Sequence, residues 1–376
     1  MKIPFVDLKA QYEVHQSEID RAIARVIAET SFIGNLTNPH VKAFEEQFNA
    51  YLGSKHCVAC ANGTDSLEIL LKAAGIGAGD EVIVPSVSWI ATSEAVSTIG
   101  ARPVFADIDP LTYTIDPADI ARKITPRTKA VIPVHLYGEP ADMDAIMALA
   151  QQHGLFVLED CAQAHGAKYR DRTVGTIGHA GSFSFFPGKN LGAYGDAGGM
   201  VTNDEKLAAR ARMISQHGQG AKKHDHQLEG RNSRMDGIHA AILSVKLPHL
   251  EQWTEQRRGH AATYRRLLGE SGLQVQRVPE HVRHVYHLFT VQVPDREAVL
   301  AKLQAAGISA AVQYPQALPL LTAYQHLGHK AADFPVGAAL AARVLSLPIY
   351  PELTEAMISH VAATLLAVVG EKKPAV

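Results

Sequence analysis

From about residue 55 to 205 the chain alternates short, nearly unbroken apolar runs with amphipathic stretches. The runs EVIVPS (81–86), RPVFADI (102–108), TKAVIPVHLYG (128–138) and GLFVLED (154–160) are rich in Val, Ile and Phe. Continuous apolarity over so short a length predicts strands buried on both faces of a mostly parallel sheet. Between the last two lies DMDAIMALAQQHG (142–154), where Ile146, Leu149 and Ala150 share a helical face and Gly154 is a stop signal. Strand, helix and strand in that order form a βαβ crossover. Ligands of such folds gather outside the carboxyl ends of the strands, so functional side chains are expected just after the apolar runs.

Past a basic, Gly-rich stretch near 217–234, a helical segment (238–268) carries Pro248 as a break or kink. A second pattern follows: HVYHLFTVQV as a strand, DREAVLAKLQAAGI as a helix, AAVQYP as another strand, and a tail from FPVGAAL onward adding one or two helices. We read 1–250 as a large domain with an N-terminal arm and 251–376 as a smaller C-terminal α/β domain on a helical connector. A length of 376 residues suits two or three domain-sized units.

With 47% hydrophobic and 20% charged residues, the composition is that of a globular protein rather than a disordered one. A formal net charge of −2 leaves no basic footprint, so nucleic acid is not an expected partner. No apolar run approaches a membrane span and the first residues lack a secretory apolar core, so a cytoplasmic location is expected. Cys57 and Cys60 form a CxxC, but no second pair completes a zinc site, and both thiols read as small hydrophobes of a strand entering a turn. His217, His224 and His226, flanked by Lys222 and Lys223, read as a polar surface loop rather than a metal site.

The chemistry concentrates in SFSFFPGKNLGAYGDAGG (182–199), where an aromatic β-type run ends in Pro-Gly and presents Lys189 before a glycine-dense loop. An ammonium is costly to desolvate, and a desolvated lysine becomes an amine nucleophile suited to a Schiff base. Taken alone, Lys189 could equally snorkel to water. Asp160 closes GLFVLED at a strand's carboxyl end, as a helix N-cap or as a carboxylate facing the ring nitrogen of pyridoxal phosphate. Gln163, three residues on, is a polar loop residue or a donor to that ring's phenolic oxygen. ANGTDSLEILLKAAG (61–75) enters a helix with Asp65 and Glu68 spaced as a capping box. Its free N–H groups and the Thr64 hydroxyl offer a phosphate site. Trp89 follows VIVPSVS and would stack on an aromatic cofactor or pack in the core.

The combination ANGTDSL, VPSVSWIATSEAV, VLEDCAQAHGA, SFSFFPGKNLGAYGDAGG, RNSRMDGIHAAIL and VLSLPIYPELT resembles the pyridoxal-phosphate-dependent sugar-nucleotide aminotransferases of the DegT/StrS group, over nearly the whole chain. The resemblance implies a fold-type-I architecture, a large domain with a mostly parallel sheet between helices plus a smaller α/β domain. It implies that Lys189 carries the cofactor, Asp160 pairs with the ring nitrogen, Gln163 approaches the phenolic oxygen and Trp89 covers the ring. Gly63, Thr64 and Ser184 would bind the phosphate, and Asn232 would reach the phosphate of a neighbouring subunit's cofactor, making a homodimer with shared sites.

The same resemblance implies transfer of an amino group from L-glutamate to a nucleotide-linked ketosugar, the cofactor cycling through pyridoxamine phosphate. The loop GAYGDAGG resembles relatives that aminate a 3-keto sugar, here a dTDP- or UDP-linked hexose; a 4-keto sugar or a cyclitol ketone is the alternative. A regulatory protein that keeps the fold as a sensor is the non-enzyme alternative. Gln313-Tyr314-Pro315, followed by Pro319, departs from the His-Tyr-Pro of many relatives in a substrate-proximal segment, and Arg234 is a weak candidate for the donor's carboxylate.

Overall fold

The structure, a computed structural model, describes residues 1–34, 37–220, 222, 224–269 and 271–370. Helices α1 (Leu8–Ala28) and α2 (Pro39–Leu52) lead into β1 (His56–Cys60) and α3 (Gly63–Ala73). Then β2 (Glu81–Pro85), α4 (Ala91–Thr98), β3 (Arg102–Ala106), α5 (Pro117–Lys123), β4 (Thr128–Val131), α6 (Met143–His153) and β5 (Phe156–Asp160) alternate as the apolar runs predict. Gly154 ends α6 in the left-handed conformation at φ 65°, the stop expected of it. A small hairpin, β6 (Lys168–Tyr169) and β7 (Arg172–Thr173), precedes β8 (Ala180–Ser184) and β9 (Gly198–Thr202).

The main sheet has the order β1-β9-β8-β5-β4-β2-β3. Neighbours from β8 to β3 run parallel, and only β9 opposes its neighbours. Its strands are buried on both faces, each face meeting its own apolar cluster. Along β1, Cys57 and Ala59 pack on one side while Val58 and Cys60 pack on the other. The CxxC thiols thus point to opposite faces, as residues three apart on a strand must, and both are free and buried.

The second half runs α7 (Glu205–Ser215), α8 (Gly237–Lys246), a 3-10 turn Leu247–His249 holding Pro248, and α9 (Leu250–Leu268). It continues with β10 (Gln274–Val275), β11 (Val282–Arg283), β12 (Phe289–Gln292), α10 (Arg296–Ala305), α11 (Pro335–Arg343), β13 (Val344–Leu347) and α12 (Glu355–Gly370). Strands β10, β12 and β13 form an antiparallel sheet, while β11 pairs with β6. A third core gathers Tyr264, Phe289, Val291, Leu345, Leu347 and Leu365. Ile3 joins this third core, its N–H donating to Gly307 O at 2.8 Å.

Two expectations need correction. AAVQYP is not a strand; only Ala311 bridges, to Ser346. The strand beside β12 is instead VLSL of β13, inside the tail read as purely helical. Four buried residues between two apolar helices carry no period of their own that separates strand from helix. The histidine loop is exposed at His217, His224 and His226, as expected, and Lys223 lies outside the described residues.

Strand β8 is packed so closely that a Cβ at Gly181 would sit 2.5 Å from Gly175 Cα. Gly181→Ala should cost about 1–3 kcal/mol by overpacking. A lower denaturant midpoint with unchanged slope is the expected result; an unshifted midpoint would contradict the packing.

Candidate active site

A cavity of about 730 Å³ opens at the carboxyl edge of the main sheet, where Asp160 ends β5, Ser184 ends β8 and Trp89 follows β2. Gly63, Thr64, Trp89, Asp160, Gln163, Ser184 and Lys189 all line it. Asn232 does not; its side chain is exposed outside its own chain's cavity, and Arg234 lies outside it too.

Lys189 is placed by a tight loop. Its N–H donates to Phe186 O at 2.8 Å, and Asn190 Nδ2 donates to Val285 O at 3.0 Å. Lys246, buried in α8, donates to Gly192 O at 2.6 Å and sits over the Tyr194 ring. Burial draws the Lys189 pKa down to about 8, against the pull of Asp160. Lys246 is drawn down to about 8 by burial as well. A lowered pKa therefore does not single out the reactive amine; position does, because Lys246 is engaged by Gly192 and only Lys189 borders the cavity.

Asp160 is 5% exposed and accepts from Thr92 Oγ1 at 2.8 Å and Ala162 N at 3.1 Å. Ser88 Oγ lies 2.8 Å from Thr92 Oγ1 and extends the chain of hydroxyls. Burial still holds the Asp160 carboxyl above its usual range, although Thr92, the Ala162 N–H, Lys189 and His135 all oppose this. A cation brought against it would restore the ionised form. Beneath lies a buried pair: His135 Nδ1 accepts from Ala141 N at 3.1 Å, so Nε2 donates to Glu159 at 3.0 Å. Glu159 also accepts from the N–H groups of Gly175, Ile177 and Gly178, which fixes the end of β5.

Gln163 has its amide orientation fixed. Its Oε1 accepts from Tyr137 N at 2.7 Å and its Nε2 donates to Tyr314 Oη at 2.9 Å, leaving one amide N–H. The N-cap of α3 is Asn62, whose Oδ1 accepts from Asp65 N at 2.8 Å. The Asp65–Glu68 capping box is thus not formed. Both carboxylates instead bind Arg231, with Asp65 Oδ1 at 2.8 Å, and Arg231 itself lines the cavity. The N–H groups of Gly63 and Thr64 begin the helix with no intrahelical acceptor. A Cβ at Gly63 would meet Ser184 Cβ at 2.7 Å, so only glycine lets these two segments form one cradle. Trp89 is 59% exposed, which removes the core-packing alternative, and its ring tilts at 42° to Tyr314 with centroids 5.8 Å apart.

Several contributors escaped sequence reading: Thr92, the His135–Glu159 pair and Arg231. Arg231 adjoins the quoted Asn232, but its pairing crosses more than a hundred and sixty residues to Glu68 and is silent in one dimension.

The profile of the DegT/DnrJ/EryC1/StrS aminotransferase family matches residues 15–366. The chain belongs to this family. A Geobacillus stearothermophilus protein named pleiotropic regulatory protein is 48% identical, over 94% of this chain and 95% of that one. The UDP-N-acetyl-3-dehydro-alpha-D-glucosamine 3-aminotransferase of Acidithiobacillus ferrooxidans is 46% identical, over 96% and 97%. The crystal structure of S. venezuelae DesV in complex with a ketimine intermediate superposes with a TM-score of 0.93 at 42% identity, over 100% of this chain and 99% of that one. Fold type I and pyridoxal-phosphate-dependent aminotransferase chemistry follow from this membership, and the cavity fits the cofactor: an anion-ready helix start, a buried carboxylate wanting a cation, and an amine all line it. Among the described residues no helix is long and apolar enough to cross a membrane.

In the cofactor-free protein, a Lys189 pKa of about 8 against the ordinary 10.5 means that the unfolded chain binds more protons across that window. This group's contribution to stability therefore rises with pH from about 8 to 10.5. Lys189→Met should be more stable than wild type near neutral pH, with the difference narrowing through that window. Paired denaturant titrations check it; a pH-independent difference would contradict the buried amine.

Proposed function

We propose that the protein moves an amino group from L-glutamate to a nucleotide-linked 3-keto hexose, dTDP- or UDP-linked, with pyridoxal 5'-phosphate as cofactor. The observation that carries the reading is the single cavity shared by Lys189, Asp160 and the start of α3. The 3-position draws support from the Acidithiobacillus relative's name.

When bound, pyridoxal phosphate supplies an electron sink for the carbon that loses a proton. The Gly63 and Thr64 N–H groups and the Ser184 hydroxyl would hold its phosphate, and Trp89 would cover its ring. Asp160 would keep a proton on the ring nitrogen, with Thr92 and Ala162 fixing its orientation. The remaining amide N–H of Gln163 would donate to the phenolic oxygen. Lys189, a base with a pKa of about 8, is suited to carry the proton between the donor's α-carbon and the cofactor.

Asn232, exposed and outside its own cavity, would complete the phosphate site of a second subunit, making the enzyme a homodimer. The division into 1–250 and 251–376 and a cytoplasmic location belong to the same reading; the free, buried Cys57, Cys60 and Cys161 suit a reducing compartment. The regulatory name of the Geobacillus relative favours a sensor as the second reading. A sensor has no need of the whole Lys189–Asp160–Gln163 arrangement.

With cofactor present, L-glutamate should bleach the visible band of the wild-type protein, and a 3-keto sugar nucleotide should restore it. Lys189→Ala should lose at least about 10²–10⁴-fold in rate. A folded wild-type protein that binds cofactor but stays unchanged with every amino donor would favour the sensor. Near-wild-type turnover by Lys189→Ala would remove Lys189 from the chemistry.

A further inference from the structure

Beyond Lys189 lies a second chamber of about 310 Å³. Phe186, Lys189 and Tyr314 border both spaces, so the lysine stands as part of the partition between them. Phe5 and Val6 of the N-terminal arm line it too, and Arg257, His287 and Gln313 add polar side chains to its wall.

Two side chains in that wall each bury a polar atom with no hydrogen-bond partner among the described residues. Arg257, on α9, is 5% exposed; its Nη1 donates to Ile349 O at 2.6 Å and Tyr286 O at 3.3 Å, while Nε has no hydrogen-bond partner among the described residues. No carboxylate lies within ion-pair distance of it among the described residues. Burial draws its pKa down to about 10, with Glu352 pulling the other way from farther off. A buried guanidinium without a counter-ion is costly, and an incoming anion removes the cost. Gln313 Oε1 is buried and unpartnered as well, although the backbone carbonyl of Gln313 accepts from Tyr137 Oη. The chamber is at the small end of ligand pockets, with room for a short amino acid rather than a nucleotide sugar.

We propose that this chamber receives the carboxylate of the amino donor, held by Arg257 with Gln313, while the sugar nucleotide occupies the larger cavity. The proposal rests on the transamination reading above. It gives the donor a cationic partner within its own chain, on the far side of Lys189 from the Arg231–Asp65–Glu68 cluster.

The test uses glutarate, which has glutamate's two carboxylates and no amine, titrated calorimetrically into the full chain with and without cofactor. Wild type should bind it saturably. Arg257→Gln should weaken binding about 10- to 100-fold, the loss of a charge-assisted hydrogen bond, and Gln313→Leu about 2- to 10-fold. Binding of UDP or dTDP should be unchanged in both. Should Arg257→Gln fail to fold, Val6→Trp, which narrows the chamber while leaving both of its cations in place, should abolish glutarate binding and spare the nucleotide. Absence of glutarate binding in wild type, or equal binding in wild type and the folded variants, overturns the proposal. Glutarate binding that depends on Arg257 in a protein incapable of transamination would keep the chamber and fail the functional reading. Glutamate-driven transamination with glutarate binding indifferent to the variants would do the reverse.

Discussion

The site depends on holding an ammonium and a carboxylate together at the dry edge of a sheet. Asp160 is 5% exposed and Lys189 is hemmed in by protein, and neither charge is fully compensated there. Desolvation pushes the lysine down and the aspartate up, so each drifts toward its neutral form. That imbalance is useful: it leaves an amine able to accept a proton near neutral pH and a carboxyl that gains most when a cation faces it.

The scaffold bears the strain of that arrangement with rigid groups. Strand β5 ends in Glu159 and Asp160; the first is locked by His135 and three backbone N–H groups, so the second has little freedom. The loop carrying Lys189 is held from two distant elements, by Lys246 on Gly192 and by Val285 on Asn190. Gln163 ties Tyr137 to Tyr314, linking the sheet edge to the segment before α11. Cavity-lining residues thus hang on bonds made far away in sequence, which is how a site keeps its order.

Much of this was legible in the chain because buried parallel strands announce themselves as unbroken apolar runs and their ends as isolated polar residues. Asp160 and Ser184 stand at such ends, Gln163 and Lys189 follow in the loops just beyond, and all four line one cavity. Gly154 and Pro248 likewise punctuate as they should. The failures have physical causes. β13 hides because VLSL continues the apolarity of the helix before it. The α3 start differs from its capping-box spacing because Asn62 takes the cap, freeing Asp65 and Glu68 for Arg231. Arg257 looks like any surface arginine of an amphipathic helix until α9 is packed beneath Ile349 and Tyr286.

The central claim is that one particular lysine carries the cofactor. Lys246 is its natural rival, more deeply buried and likewise drawn down to about 8, yet turned toward Gly192 and Tyr194. The most direct measurement is to reduce the protein with borohydride in the presence of pyridoxal phosphate and map the modified peptide by mass spectrometry. Modification of Lys189 alone, stoichiometric with the chain, is the predicted result. Modification of Lys246, or of no lysine in a folded and cofactor-bound protein, would contradict it.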